Sequence, residues 1–178
     1  MHKLALFLLV FTFTLTSCVK DTDFNQADQI ELNSVVELNF LFFTLQIDDF
    51  KLNPGLEGRL TVVDTTEIRF LNESFAQENL VSAEYFFRVS NSFPVEANAN
   101  FTFMSDTNEP FYEISFPIQS GTNSTPVITE FTQVVTLEEI AQLTQTNKVI
   151  VTFTIDTLDE NLSGTLNMQS KTTYFLKF

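Results

Sequence analysis

The sequence of 178 residues has no tryptophan, one histidine, one cysteine and only four glycines. His2 and Cys18 both stand in the N-terminal segment, so no Ser-His-Asp or Cys-His catalytic site can be built in the rest of the chain. A zinc site of the usual histidine and cysteine type is excluded for the same reason. The few glycines make no phosphate-binding loop. We therefore expect a protein that is not an enzyme and that has no cofactor.

Basic side chains are scarce as well, at 9 Lys and Arg against 23 Asp and Glu, which gives a net charge of −14. This surplus of acidic charge opposes binding to nucleic acid and to anionic lipid surfaces. Long apolar runs are missing after Cys18, where the longest stretch is residues 40–43. A membrane-spanning helix needs roughly 20 apolar residues. We therefore expect no nucleic-acid partner and no transmembrane helix in this part of the chain.

The N-terminal segment begins with Lys3 and an apolar run at residues 4–15. That run has the length of a signal-peptide core and is too short to span a bilayer. It ends in Leu15-Thr16-Ser17-Cys18, which resembles the lipobox of bacterial lipoproteins. The resemblance implies that residues 1–17 are cleaved off as a signal peptide and that Cys18 carries a covalent lipid, which anchors the mature chain to a membrane. The alternative is an ordinary secretory leader followed by an unpaired cysteine.

Residues 18–28 are polar without a clear period, and we interpret them as an acylated tether. The residue after the cysteine is valine, so the aspartate that keeps many lipoproteins at the inner membrane is absent there. Lys20 and Asp21, with Asp23 close behind, resemble the charged signal that sends Bacteroidetes-type lipoproteins to the cell surface. The resemblance implies an outer-membrane lipoprotein that faces the outside of the cell. The alternative is a solvated leash on a protein that faces the periplasm.

Residues 29–178 have the composition of a single all-β domain. Phenylalanine, with 21 residues in the whole chain, and the plentiful threonine both favour strands. Apolar and polar side chains alternate from Ile30 to Phe40, and the apolar parity then shifts by one residue at Leu41. Such a shift predicts a β-bulge or a strand that is buried on both faces.

Further alternating segments predict more strands. Residues 101–103 and 112–118 are expected to form a hairpin, and residues 68–70 a short strand. Thr136 and Glu139 have the spacing of a capping box, which predicts one short helix near residues 137–146.

The spacing of the strands, with turns rich in Asn, Ser and Pro, predicts an antiparallel β-sandwich with Greek-key connections. Residues 85–91 and the strands that follow loosely resemble immunoglobulin-like or fibronectin-like domains, although the chain lacks their tryptophan and paired cysteines. The resemblance implies an architecture and no particular function.

Two kinds of modification or metal site have candidate residues. Asp156, Asp159 and Glu160 crowd one loop and are candidate calcium ligands, with a charged turn as the alternative. Thr65 and Thr157 each follow an aspartate, and these triplets resemble the sites at which Bacteroidetes-type bacteria O-glycosylate exported proteins.

Two functions are compatible with these features. The first is a non-enzymatic, membrane-anchored lipoprotein that acts as an accessory or interaction subunit, with an outer-membrane β-barrel complex as its partner. The second is a ligand-binding surface module, for example for glycans, that works in nutrient capture. Tyr85, Tyr112 and Tyr174 are the candidate aromatic platforms for a sugar in the second case.

Overall fold

A computed structural model describes residues 33–52, 59–157, 159 and 161–178. Cys18, Lys20, Asp21, Asp23 and Glu160 lie outside the described residues, so their predicted roles stay predictions. Among the described residues, no helix has the length and apolar character that crossing a bilayer requires.

The described residues form nine β-strands and two short α-helices, in agreement with the predicted all-β class. The strands are β1 (Asn33–Leu45), β2 (Lys51–Leu52), β3 (Leu60–Glu67), β4 (Leu80–Asn91), β5 (Ala97–Met104), β6 (Pro110–Ile118), β7 (Val127–Val135), β8 (Lys148–Ile155) and β9 (Leu166–Lys177). The helices are α1 (Ser74–Asn79) and α2 (Leu137–Leu143). Short 3-10 turns at Ile47–Asp49 and Arg69–Asn72 complete the regular structure.

The strands form two antiparallel sheets that pack as a sandwich. The four-stranded sheet has the order β1-β9-β4-β7, and the five-stranded sheet has the order β2-β3-β8-β5-β6. Apart from the two-residue β2, this is the strand order of a jelly roll, which consists of two Greek keys. The predicted sandwich and its Greek-key connections are confirmed.

The strand order differs from that of an immunoglobulin domain, in which the first strand pairs with the second. Here β1 pairs with the last strand, β9, from Asn33 opposite Lys177 to Leu45 opposite Leu166. The reason lies in the connections, because most of them carry the chain from one sheet to the other. Strands that follow each other in sequence therefore seldom become neighbours, and β1 is left at the edge of its sheet.

Phenylalanine side chains fill the space between the sheets. Phe87 of β4 lies 4.6 Å from Phe101 and 5.2 Å from Phe116, measured between ring centroids, and both partners belong to the opposite sheet. Phe116 in turn stacks on Phe131 of β7 at 4.6 Å. Offset and tilted ring pairs of this kind add to the free energy gained by burial alone. The abundance of phenylalanine is therefore explained by the core.

The parity shift in β1 is a β-bulge, which is one of the two alternatives that the sequence left open. Asn39 is opposite Lys171 and Phe42 is opposite Gln169, so two residues of β1, at positions 40 and 41, oppose the single residue Ser170. Apolar side chains on both sides of the bulge can therefore reach the same core. Without the extra residue, Phe43 and Leu45 would point to solvent.

Helix α2 is confirmed at Leu137–Leu143 and begins with the expected capping box, in which the backbone N–H of Thr136 donates to Glu139 Oε2 at 2.8 Å. It packs against β4 and β6, one strand from each sheet. The prediction of a strand at residues 68–70 was wrong, because the chain leaves the sheet in a 3-10 turn after β3. Helix α1 and strand β7 were not predicted.

Candidate functional site

The outer face of the four-stranded sheet carries the most distinctive set of exposed side chains. Because side chains alternate along a strand, one register row across this face consists of Phe42, Gln169, Arg88 and Glu130. The neighbouring row consists of Asn39, Lys171, Phe86 and Thr132. Both rows lie at the position of the bulge in β1.

The bulge opens a shallow groove between these two rows. Asn39 and Phe42 are consecutive outward positions of β1, yet two inward residues separate them instead of one. The wider gap leaves a depression of about 200 Å³, which we name the bulge groove. It is lined by Asn39, Phe42, Phe86, Arg88, Gln169, Ser170 and Lys171.

Two phenylalanine rings belong to the bulge groove rather than to the core. Phe42 is 58% exposed, and Phe86 is half-buried on the same outer face. Neither ring takes part in the ring-to-ring contacts of the described residues, whereas most other described phenylalanines do. Both residues line the groove, so the exposed part of each ring offers apolar surface to a ligand.

The charged residues that line the bulge groove are Arg88 and Lys171, and both are cationic. Lys171 Nζ lies 2.7 Å from Glu37 Oε2, in a close ion pair at the rim. Arg88 Nε lies 3.7 Å from Glu130 Oε1, which is beyond hydrogen-bond distance. The guanidinium of Arg88 therefore keeps its donors for water or for a ligand.

Three other depressions among the described residues are lined by side chains with a different net charge. One of about 340 Å³ combines acids and bases and is lined by Glu67, Arg69, Asp106, Asn147 and Lys148. One of about 250 Å³ has two acids and one base among its lining residues, Arg59, Glu96, Ala97, Asn98, Pro117, Thr154 and Asp156. An apolar cleft of about 100 Å³ between β1 and β3 has Asp64 as its charged lining residue. Of these four, the bulge groove alone has a positive lining.

The candidate calcium ligands are only partly described. Asp156 Oδ1 lies 2.6 Å from Arg59 Nε, so a guanidinium already neutralises this carboxylate. Asp159 Oδ1 accepts a hydrogen bond from the backbone N–H of Asn161 at 2.9 Å. Among the described residues, no group of three or more metal-binding side chains comes together. Because Glu160 is not described, the calcium site stays a prediction.

The two candidate O-glycosylation residues are both described. Thr65 lies exposed within β3, opposite Ile150 of β8. Thr157 follows β8, is half-buried, and its hydroxyl accepts the backbone N–H of Asp159 at 3.0 Å. Of the two, Thr65 offers the freer hydroxyl to a modifying enzyme.

Two of the three tyrosines that we considered as sugar platforms lie in the core. Tyr85 and Tyr174 are buried, and burial raises the pKa of both hydroxyls. Tyr112 is half-buried and its hydroxyl accepts a hydrogen bond from Gln133 Nε2 at 3.2 Å. The prediction of a platform at Tyr85 and Tyr174 was therefore wrong, because their strand positions face inward.

The sequence contained a signal for the bulge groove that the prediction did not use. Phe86 shares its parity with Glu84 and Arg88, and Phe42 falls on the polar parity of β1 once the bulge is counted. An aromatic residue on the polar face of a strand is a sign of an exposed ring.

No protein-family profile and no curated protein matches this chain. A protein of Parabacteroides distasonis that is inferred to be secreted aligns at 17% identity with 65% of this chain and 38% of its own, with a TM-score of 0.45. The infectious bursal disease virus Gx strain structure aligns at 13% identity with 81% of this chain and 32% of its own, with a TM-score of 0.48. Tailspike protein 4 of bacteriophage CBA120 aligns at 8% identity with 78% of this chain and 19% of its own, with a TM-score of 0.41. This chain thus corresponds to well under half the length of each of these structures.

Proposed function

We propose that this chain is a non-enzymatic, lipid-anchored lipoprotein of the outer membrane that binds glycans through the bulge groove. The observation that carries the proposal is the pair of rings that line the groove, Phe42 and Phe86, beside the planar amides of Asn39 and Gln169. Sugars present apolar ring faces and hydroxyl edges, which suit aromatic rings and amide groups. A volume of about 200 Å³ suits one sugar unit of a longer chain rather than a large buried ligand.

The location of the groove supports binding to an extended ligand. The groove spans three strands, β1, β9 and β4, on an open face of the sheet. A polymer can therefore pass over it, and neither end of the polymer has to enter a cavity. The charged side chains at the groove and its rim form ion pairs with each other, Lys171 with Glu37 and Arg88 with Glu130. An open face of this kind suits a binding surface.

The binding test uses the full-length protein, solubilised in detergent, on a panel of immobilised glycans. We expect binding by the wild type and a loss of about 10-fold or more for Phe42→Ala and Phe86→Ala, because stacking of a planar ligand on an aromatic side chain contributes about 1–3 kcal/mol, as measured for nucleic-acid bases. Val63→Ala is the matched control, because Val63 is also 58% exposed but lies on the opposite sheet. Absence of glycan binding, or equal losses in all three variants, contradicts the proposal.

The proposed location at the cell surface can be tested separately. Protease is added to intact cells, with a periplasmic marker that must survive and with lysed cells to prove that the protein can be cut. Surface display predicts loss of the protein from intact cells. Replacing Lys20, Asp21 and Asp23 with alanine should reduce this exposure without releasing the protein from the membrane. Survival in intact cells with digestion after lysis indicates a protein that faces the periplasm.

A second candidate function is that of an interaction subunit in an outer-membrane complex. Its support comes from β1, an edge strand of 13 residues that carries exposed Val35 and Leu38. Edge strands have unpaired backbone groups that can pair with another chain. A pull-down from detergent-solubilised membranes decides this point, since a stoichiometric membrane-protein partner together with no glycan binding favours the second function.

A further inference from the structure

The charge of the bulge groove is opposite to that of the chain. The whole sequence carries 23 acidic and 9 basic side chains, yet the two charged residues that line the groove are Arg88 and Lys171. The acids that form ion pairs with them, Glu37 and Glu130, stand at the rim on the two outermost strands and are not part of the lining. Among the four depressions described above, the groove is therefore the one whose lining offers an excess of cations to a ligand.

Arg88 is the better placed of the two cations. It lies between Gln169 on β9 and Glu130 on β7, and its closest approach to Glu130 is 3.7 Å from Nε. The guanidinium makes no hydrogen bond within the described residues. A guanidinium offers a planar fork of donors that matches the two oxygens of a carboxylate.

Lys171 contributes differently, because it is already close to Glu37. Its ammonium is a point charge that neutralises Glu37 and so keeps that carboxylate from repelling an anionic ligand. Phe86 lies directly beside Lys171 in the register, so an apolar surface adjoins the charged one. Such a surface suits a ligand whose ring carries a negatively charged group on one edge.

From this charge complementarity we infer that the glycan bound by the bulge groove contains uronic acid units, that is, sugars with a carboxylate. The inference rests on the proposed function and specifies its ligand. The sugar ring lies against Phe42 and Phe86, and its carboxylate receives the hydrogen bonds of Arg88. Lys171 neutralises Glu37, so that this acid does not repel the carboxylate.

The net negative charge of the protein does not oppose this contact at physiological salt. The Debye length is then about 8 Å, so charges on the opposite sheet are largely screened from the groove. Arg88 acts at hydrogen-bond distance, where screening is weak. We therefore expect affinity to depend on the residues of the groove and little on acidic side chains elsewhere.

The experiment compares each carboxylated polymer with its own uncharged methyl ester. The full-length protein in detergent is titrated with polygalacturonate, alginate and hyaluronan. Each is used in its unesterified, ionised form, here called the free acid, and as its methyl ester. Dextran and dextran sulfate are tested as well. Methyl esterification removes the charge and leaves the ring and its hydroxyls in place. We expect binding to at least one free-acid polymer and a loss of about 10-fold or more on esterification, as for other hydrogen bonds to charged groups.

Substitutions in and beside the groove identify the residue that binds the carboxylate. Arg88→Gln should lower affinity for the free acid about as much as esterification does and should have no further effect on the ester. Arg88→Lys should retain part of the affinity, because it keeps the charge but loses the fork. Glu130→Gln should raise affinity, because it removes the acid that competes for Arg88. Circular dichroism of each variant checks that it is folded.

The outcomes separate this inference from the proposed function. Equal binding to free acids and esters, with losses in Phe42→Ala, overturns the inference and leaves glycan binding in place. Binding to dextran sulfate but to none of the carboxylated polymers also overturns it, in favour of sulfated ligands. Absence of binding to every polymer contradicts both proposals. An Arg88→Gln variant that retains full affinity for the free acid overturns the role of Arg88.

Discussion

The hydroxyl of Ser170 bridges the backbone of Leu41 on the neighbouring strand. The hydroxyl oxygen accepts the N–H of Leu41 at 2.9 Å, and the hydroxyl O–H donates to the carbonyl of the same residue at 3.1 Å. These backbone groups belong to the bulge, where the regular ladder between β1 and β9 is interrupted. The serine hydroxyl therefore replaces the hydrogen bonds that the bulge removes, in a place from which water is excluded.

Removal of this hydroxyl should destabilise the fold. We expect Ser170→Ala to lower the free energy of unfolding by about 1–3 kcal/mol, because the N–H and carbonyl of Leu41 remain buried without partners. Thr61→Val is the matched control, since the hydroxyl of Thr61 on β3 is also buried but has no partner among the described residues. Urea unfolding measures both. Equal losses in the two variants contradict a specific role for Ser170 in the bulge.

A second prediction concerns a buried hydroxyl that lacks a well-formed hydrogen bond. Tyr85 is 0% exposed, and although the hydroxyl of Tyr174 lies near its own, no described group meets hydrogen-bond geometry with it. Tyr85→Phe should therefore raise the free energy of unfolding by about 1 kcal/mol, since it removes an unsatisfied polar group and keeps the ring. Tyr112→Phe serves as the control, because its hydroxyl accepts a hydrogen bond from Gln133. A loss of stability in Tyr85→Phe shows that the hydroxyl is satisfied in solution.

The same tyrosines predict instability at alkaline pH. Burial raises the pKa of Tyr85 well above 10.0 and also raises that of Tyr174, so the folded protein keeps protons that the unfolded chain releases. Stability is therefore fully present below about pH 10 and falls as the pH rises further, because the unfolded state then binds fewer protons. Urea unfolding at increasing pH measures the fall, which should be smaller in a Tyr85→Phe, Tyr174→Phe double variant. An equal fall in the double variant assigns the effect to other groups.

The fold should not depend on calcium. Asp156 is already paired with Arg59, so we expect the melting temperature to change by no more than about 1 °C on addition of EDTA or of millimolar calcium. A ligand that binds only the native state would raise this temperature by mass action. A clear drop in EDTA that calcium restores, and that Asp159→Asn abolishes, establishes the predicted site at Asp156, Asp159 and Glu160.

Membrane attachment should depend on a single residue. We expect Cys18→Ser to move the protein from the membrane fraction to the soluble fraction, because acyl chains supply about 0.8 kcal/mol per buried methylene and no described helix can replace them. Labelling of cells with palmitate provides the direct measurement. Failure of the wild type to incorporate label contradicts the lipoprotein prediction.

The sequence by itself determined the features that rest on neighbouring residues. The parity shift at Leu41 indicated a bulge or a strand buried on both faces, and the spacing of Thr136 and Glu139 predicted the start of α2. Both depend on chemistry within a few residues, namely the alternation of a strand and the reach of a capping side chain. The resemblance to a lipobox at Cys18 is likewise local, and it still awaits the labelling experiment.

Tertiary structure alone decided the strand order, the burial of Tyr85 and Tyr174, and the formation of the bulge groove. Leu41 and Ser170 lie 129 residues apart in sequence, and no local pattern pairs them. The groove combines Phe42, Arg88 and Lys171 from three strands that become neighbours only because the connections cross between the sheets. Which strands become neighbours depends on the packing of the whole sandwich, since the alternation of a strand specifies a buried face but not the partner that covers it.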